Sequence, residues 1–283
     1  MRRFRHSAIG PLFAAAAATI CLPSCVSAQS LSSQSPAPTY ADLADLAQSA
    51  ELVLRATVKK QVEVDEARAP GLRPNWVRLY VEAETTALIT GSATVGESLK
   101  YLVDVPRNAK GKSPKLKKRD VLLFAKPVAG STSQIRLSAP DGQLMWNENL
   151  DSRLRPILSE LASPSARPAI SGVRDALSID GNLAGESETQ IFLDAVEDGP
   201  VSISVIRRPG MAPTWGVSWS EIVDQAARPP ASGTLAWYRL ACFLPANLPG
   251  TANLSRNSES RARAIRDYAF VIEQLGQCPR NRV

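Results

Sequence analysis

The sequence predicts a mainly β, α+β protein: a small β-barrel-like domain in the N-terminal half, then an antiparallel-sheet domain ending in a helix. Three observations carry this. Five or six short alternating segments fall within about 100 residues between Leu52 and Leu137. Two tight-turn signals, Glu197-Asp198-Gly199-Pro200 and Arg208-Pro209-Gly210, punctuate the second half. Ser258–Gln277 repeats apolar residues at helical spacing. A hydrophobic content of 44% with 21% charged residues is that of a globular protein, not a disordered one.

The elements follow in order. Arg2, Arg3 and Arg5 precede an apolar run from Ala8 to Leu22 and the small-residue exit Val26-Ser27-Ala28, the layout of an export signal over 1–28. A membrane anchor is disfavoured, because Gly10-Pro11 and Pro23 interrupt a stretch shorter than the roughly 20 residues a span needs. Leu22-Pro23-Ser24-Cys25 resembles a bacterial lipoprotein box, so acylation of Cys25 is a second processing route. Either way the expected location is periplasmic or secreted. Loss of the signal removes three arginines and no acid, lowering the formal net charge from +6 to about +3. It also removes His6, the one histidine. Imidazole bases, Ser-His-Asp triads and His-ligated zinc are then excluded.

Residues 29–39 are Ser/Pro/Gln-rich and read as a flexible leader. Leu43, Leu46 and Ala47 predict a short helix from Tyr40. Strands are predicted over Leu52–Val64, Val77–Ile89, Ser98–Val105, Val121–Phe124 and Gln134–Leu137, making 40–148 the barrel-like domain. Asn149–Glu160, with Leu150, Leu154, Ile157 and Leu158 on one face, predicts a linking helix that Pro156 kinks or restarts; with the Pro-rich stretch after it, 149–168 forms the linker. The second domain, 169–283, has predicted strands over Ile170–Ile179, Thr189–Val196, Val201–Ile206 and Thr214–Trp219. A short helix through Ala227, capped by Ser218 or Ser220, and a strand in the apolar stretch Gly233–Phe243 come next. The helix Ser258–Gln277 closes it. Cys242 and Cys278 remain after export; they predict one disulfide, worth about 3 kcal/mol, or else a buried unpaired couple.

Functional candidates are few. Arg107–Arg119 holds Arg107, Lys110, Lys112, Lys115, Lys117, Lys118 and Arg119 with no acidic residue, a loop suited to an anionic envelope component or simply to solubility. No aromatic interrupts it, so the stacking half of single-strand recognition is missing and nucleic acid is not the expected partner. Trp215, Trp219, Trp237 and Tyr238 read as core, with a sugar-stacking platform as the functional alternative. Glu186, Glu188, Asp194 and Glu221 are the carboxylates open to a cell-wall hydrolase of acid/base type. GESET lacks the second glycine of a nucleophile elbow, and no phosphate loop, S-x-x-K or EF-hand spacing occurs. No cofactor and no metal site are expected. Arg207-Arg208-Pro209-Gly210 is explained as a hairpin end.

Two resemblances add to this. At GESETQIFL (Gly185–Leu193), SVIRRPG (Ser204–Gly210) and TLAWYRLACFLP (Thr234–Pro245) the chain resembles a family of exported alphaproteobacterial proteins of the sphingomonad type. That resemblance implies an envelope location and assigns no activity and no catalytic residue. The order ADLAQSAELVLRATV, ALITG and DVLLFAKP is similar to small exported barrels of the oligonucleotide/oligosaccharide-binding (OB) kind. The expectation is a non-enzymatic periplasmic binding or envelope-assembly module, partnered by an anionic envelope component or another envelope protein. The alternatives are the carboxylate hydrolase and the lipoprotein held through Cys25.

Overall fold

A computed structural model describes residues 36–196, 199–220 and 227–282. The stretch expected as an export signal, Cys25, most of the expected leader, Glu197-Asp198, Glu221 and the expected helix after Ser220 lie outside the described residues.

Thr39 caps the first helix, α1 (Tyr40–Ser49), through a box in which its hydroxyl accepts from Asp42 N while Asp42 accepts from Thr39 N. Five strands then alternate one side chain in and one out: β1 (Leu52–Glu63), β2 (Trp76–Thr90), β3 (Ser98–Pro106), β4 (Asp120–Val128) and β5 (Ser131–Leu137). Their order is β1-β2-β3-β5-β4, and β1 pairs back to β4, closing a barrel. This closed five-strand arrangement, with β3 parallel to β5, is the OB-like topology expected of the N-terminal half. Leu54, Val58, Leu79, Val81, Leu99, Val103, Leu123 and Ile135 fill its interior. A three-residue strand, β6 (Gln143–Met145), extends β4 and has no sequence signal of its own.

On the other side of β1 and β4, Val53, Leu122 and Phe124 belong to a second core. It includes α1, α2 (Glu148–Ala162) and the sheet of the second half. Because both faces of β4 are covered, Val121 to Ala125 is an unbroken apolar run rather than an alternating one. The helix expected over Asn149–Glu160 is present as α2, but it runs unbroken through Pro156, which lies on its exposed side.

The second sheet has the antiparallel order β10-β9-β8-β7, from β7 (Ile170–Asp180), β8 (Ser187–Ala195), β9 (Val201–Arg207) and β10 (Thr214–Ser218). Gly216 is required on β10, because a Cβ there would lie 2.1 Å from the Ala227 carbonyl oxygen. The stretch expected as a strand at Gly233–Phe243 is instead a helix, α3 (Leu235–Ala241), capped by the Thr234 hydroxyl on Trp237 N. Helical winding puts Trp237, Tyr238 and Leu240 in contact with the core together, where the Trp237 indole donates to Leu275 O at 2.8 Å. The last helix, α4 (Ser258–Leu275), lies against β7 and β8. Cys242 and Cys278 form the expected disulfide, joining the end of α3 to the residues after α4.

Candidate binding groove on the barrel

A bulge creates the site. Between Val58↔Ala83 and Lys60↔Glu82, β1 carries one residue more than β2, so the residues beyond it exchange faces. Before the bulge Leu54, Ala56 and Val58 point into the barrel. After it Val62 points out, 48% exposed, and pairs with Tyr80. Tyr80 pairs in turn with Leu102 of β3, 50% exposed. Three strands thus present one apolar row, Val62–Tyr80–Leu102, on the outside of the barrel.

This row lies in an open cleft of about 1100 Å³ that crosses β2, β3 and β5 and is bordered by Asp65 and Arg68 between β1 and β2. One wall is the ion pair Arg78–Asp104, bidentate at 2.7 and 2.8 Å, which holds the Arg78 guanidinium charged well above its usual range. The floor opens at the seam between β3 and β5, joined by the single ladder pair Lys100↔Gln134. Asp104 N donating to Pro140 O at 2.8 Å and the Tyr101 hydroxyl donating to Gln143 Oε1 at 2.6 Å close the seam further along. Burial pushes the Tyr101 hydroxyl far above its ordinary pKa, so it stays a donor. Lys100, Arg136 and Arg68 face this cleft exposed, and none has an ion-pair partner among the described residues. The groove therefore offers the Tyr80 ring between Val62 and Leu102, with Lys100, Arg136 and Arg68 as cations free of ion pairs among the described residues and Asp65 as an exposed acid at its border.

The predicted basic residues lie beside this groove. The segment joining β3 to β4 runs along the edge of β1 that faces away from β2: Lys118 N donates to Val58 O, and Val58 N donates to Arg119 O. Gln61, turned by the bulge, grips it from both ends of its amide, donating to Pro114 O at 2.8 Å and accepting from Leu116 N at 2.6 Å. Leu116 is buried in the barrel interior. Lys110, Lys112, Lys115, Lys117, Lys118 and Arg119 are all exposed. Arg107 differs, because it turns to Glu63 and to Gly111 O.

The other candidates do not assemble. Trp215, Trp237 and Tyr238 are buried, and Trp219, beyond the end of β10, packs against the same core, so no aromatic platform faces solvent there. Glu186 is occupied in holding the β7–β8 turn, accepting from Asn182 N and Leu183 N. Glu188 and Asp194 lie six residues apart on β8, about 20 Å along the strand, too far for a carboxylate pair. No group of three or more metal-ligating side chains converges among the described residues. No described helix is long and apolar enough to cross a membrane. A smaller cavity of about 370 Å³ lies between α1 and α2, beside the buried, unpartnered hydroxyl of Tyr40.

Sequence reading missed Val62, Tyr80, Lys100, Leu102 and Arg136. The available signal was Tyr80 itself, an aromatic in the outward phase of a strand whose inward phase is Val77, Leu79, Val81 and Ala83. No protein-family model matches the chain, and no curated protein matches it.

Proposed function

We propose that the protein is an exported, non-enzymatic binding module of the cell envelope whose barrel takes an extended, carboxylate-bearing saccharide chain. The observation that carries this reading is the row Val62–Tyr80–Leu102 flanked by Lys100 and Arg136. A tyrosine ring bordered by aliphatic side chains offers a flat apolar surface for the face of a sugar ring. Unpaired cations on the neighbouring strand positions select for anionic substituents along the chain. The strand order supports the same ligand class, since OB-like barrels bind oligosaccharides and oligonucleotides on the strand 2–3 face. The export signal favours the saccharide, because an envelope location offers anionic glycans and little nucleic acid.

The test is calorimetric titration of uronate oligosaccharides against neutral glucan oligosaccharides of equal length. The reading expects binding of the uronate alone, weakened about tenfold by Tyr80→Ala. Equal binding of both sugars, or none of either, removes it.

A further inference from the structure

The basic segment between β3 and β4 is held in place by a set of hydrogen bonds along its length. The Asn108 side chain accepts from Lys110 N at 2.9 Å and Lys112 N at 3.1 Å, and Asn108 N bonds Lys112 O at 2.8 Å, making a closed tip. Gln61 fixes the middle through Pro114 and Leu116. Lys118 sits in the left-handed region at φ 67°, a conformation that a non-glycine residue adopts only under constraint. A loop serving solubility alone needs none of this. Its result is a fixed display of Lys110, Lys112, Lys115, Lys117, Lys118 and Arg119, none with a carboxylate partner among the described residues.

We infer that this segment docks the protein onto an anionic lipid surface. Five of the six cations are lysines, which act as point charges without the planar fork that reads a fixed carboxylate or phosphate. No aromatic lies among them to stack on a base or a sugar. Such a set matches headgroups that move laterally to meet it, with attraction accumulating per residue near the surface. The segment follows one edge of β1 while β2 and Tyr80 follow the other, so docking does not use the saccharide groove.

The experiment is co-sedimentation of the chain, purified after export in a Cys25→Ser background, with vesicles of phosphatidylcholine alone or with about one-third phosphatidylglycerol. Binding is expected only with the anionic lipid and should collapse between about 0.1 M and about 0.5 M salt. Replacing Lys115, Lys117 and Lys118 by glutamine should weaken it about a hundredfold, and Lys115→Glu/Lys117→Glu/Lys118→Glu should weaken it further. Tyr80→Ala should sediment as wild type, which separates this inference from the saccharide reading. Should the triple reversal not fold, Lys110→Glu/Lys112→Glu at the loop tip gives the same test. Equal sedimentation with both lipids, no effect of reversal, or binding of soluble polyphosphate without vesicle binding overturns it.

Discussion

Val62 stands opposite Tyr80 because β1 carries one extra residue between Val58 and Lys60. That residue changes the face of everything after it. Val62 leaves the barrel interior for the groove, and Gln61 swings to the edge where the basic segment lies. One bulge therefore sets the aromatic row on one side of β1 and anchors the cationic display on the other.

The anchor can be weighed. Gln61→Ala leaves Leu116 N and Pro114 O without their partners, which should cost about 1–2 kcal/mol. The cost should appear as a lower denaturant midpoint and as faster proteolytic cleavage after Lys110, Lys112 or Lys115. Saccharide binding by the groove should be unchanged.

A second prediction concerns acid. The Arg55 guanidinium first, and the Thr57 hydroxyl second, hold the Asp120 carboxyl below the usual carboxylate range, with Arg55 itself stacked 3.5 Å over the Trp146 ring. A depressed folded-state pKa stabilises the protein above the unfolded value of about 4, and that contribution disappears as pH falls through the folded value. Asp120→Asn should cost about 1 kcal/mol at pH 7. Thermal melts of wild type and variant should begin to converge as pH falls below about 4 and coincide only once it has passed the lowered folded value.

The second sheet rests on a buried charge. Asp267 of α4 is fully buried, taking Arg207 Nε at 2.6 Å and the Thr189 hydroxyl. Nearby, Ser178 accepts from Arg263 Nε at 2.9 Å. Asp267→Ala should cost about 3–5 kcal/mol by leaving Arg207 without its partner, whereas the paired change Arg207→Met/Asp267→Leu should cost less. Urea midpoints of the two variants decide it.

The chain end is a strap whose base is the disulfide. Beyond Cys278, Arg280 Nε donates to Asp45 at 2.7 Å, Asn281 N donates to Asp42 at 3.0 Å, and Arg282 pairs with Asp141 at 3.0 Å. Cys242→Ser/Cys278→Ser should lower stability by about 3 kcal/mol and make the strap the first site of proteolysis. The protein should keep its affinity for the uronate chain when reduced, because the strap's hydrogen bonds and ion pairs go to Ala37, Asp42, Asp45 and Asp141 rather than to Val62, Tyr80, Lys100, Leu102 or Arg136.

Most strands and the last helix were legible because alternation and helical spacing are local properties. The apolar stretch at Leu235–Ala241 was not. A seven-residue stretch that is apolar but for Arg239 fits a strand or a buried helix equally by periodicity, and tertiary contacts such as Tyr238 to Asp45 and Trp237 to Leu275 decide between them. Strand β6 is too short for any pattern to mark. The basic segment was visible as charge, but its restraint by Gln61, 53 residues before Pro114, was not. The groove was legible only in part. Tyr80 stood in the outward phase of β2 opposite Leu102, but Val62 joins them only through a bulge in β1 without a sequence signature of its own.

The most direct test of the saccharide reading is isothermal titration of a uronate hexasaccharide into three forms of the protein: wild type, Lys100→Glu/Arg136→Glu, and Lys115→Glu/Lys117→Glu/Lys118→Glu. A groove that selects anionic chains predicts loss of at least about tenfold in affinity for the first variant and near-wild-type affinity for the second. Binding that survives charge reversal at Lys100 and Arg136, or that falls only with the lysines of the basic segment, contradicts it.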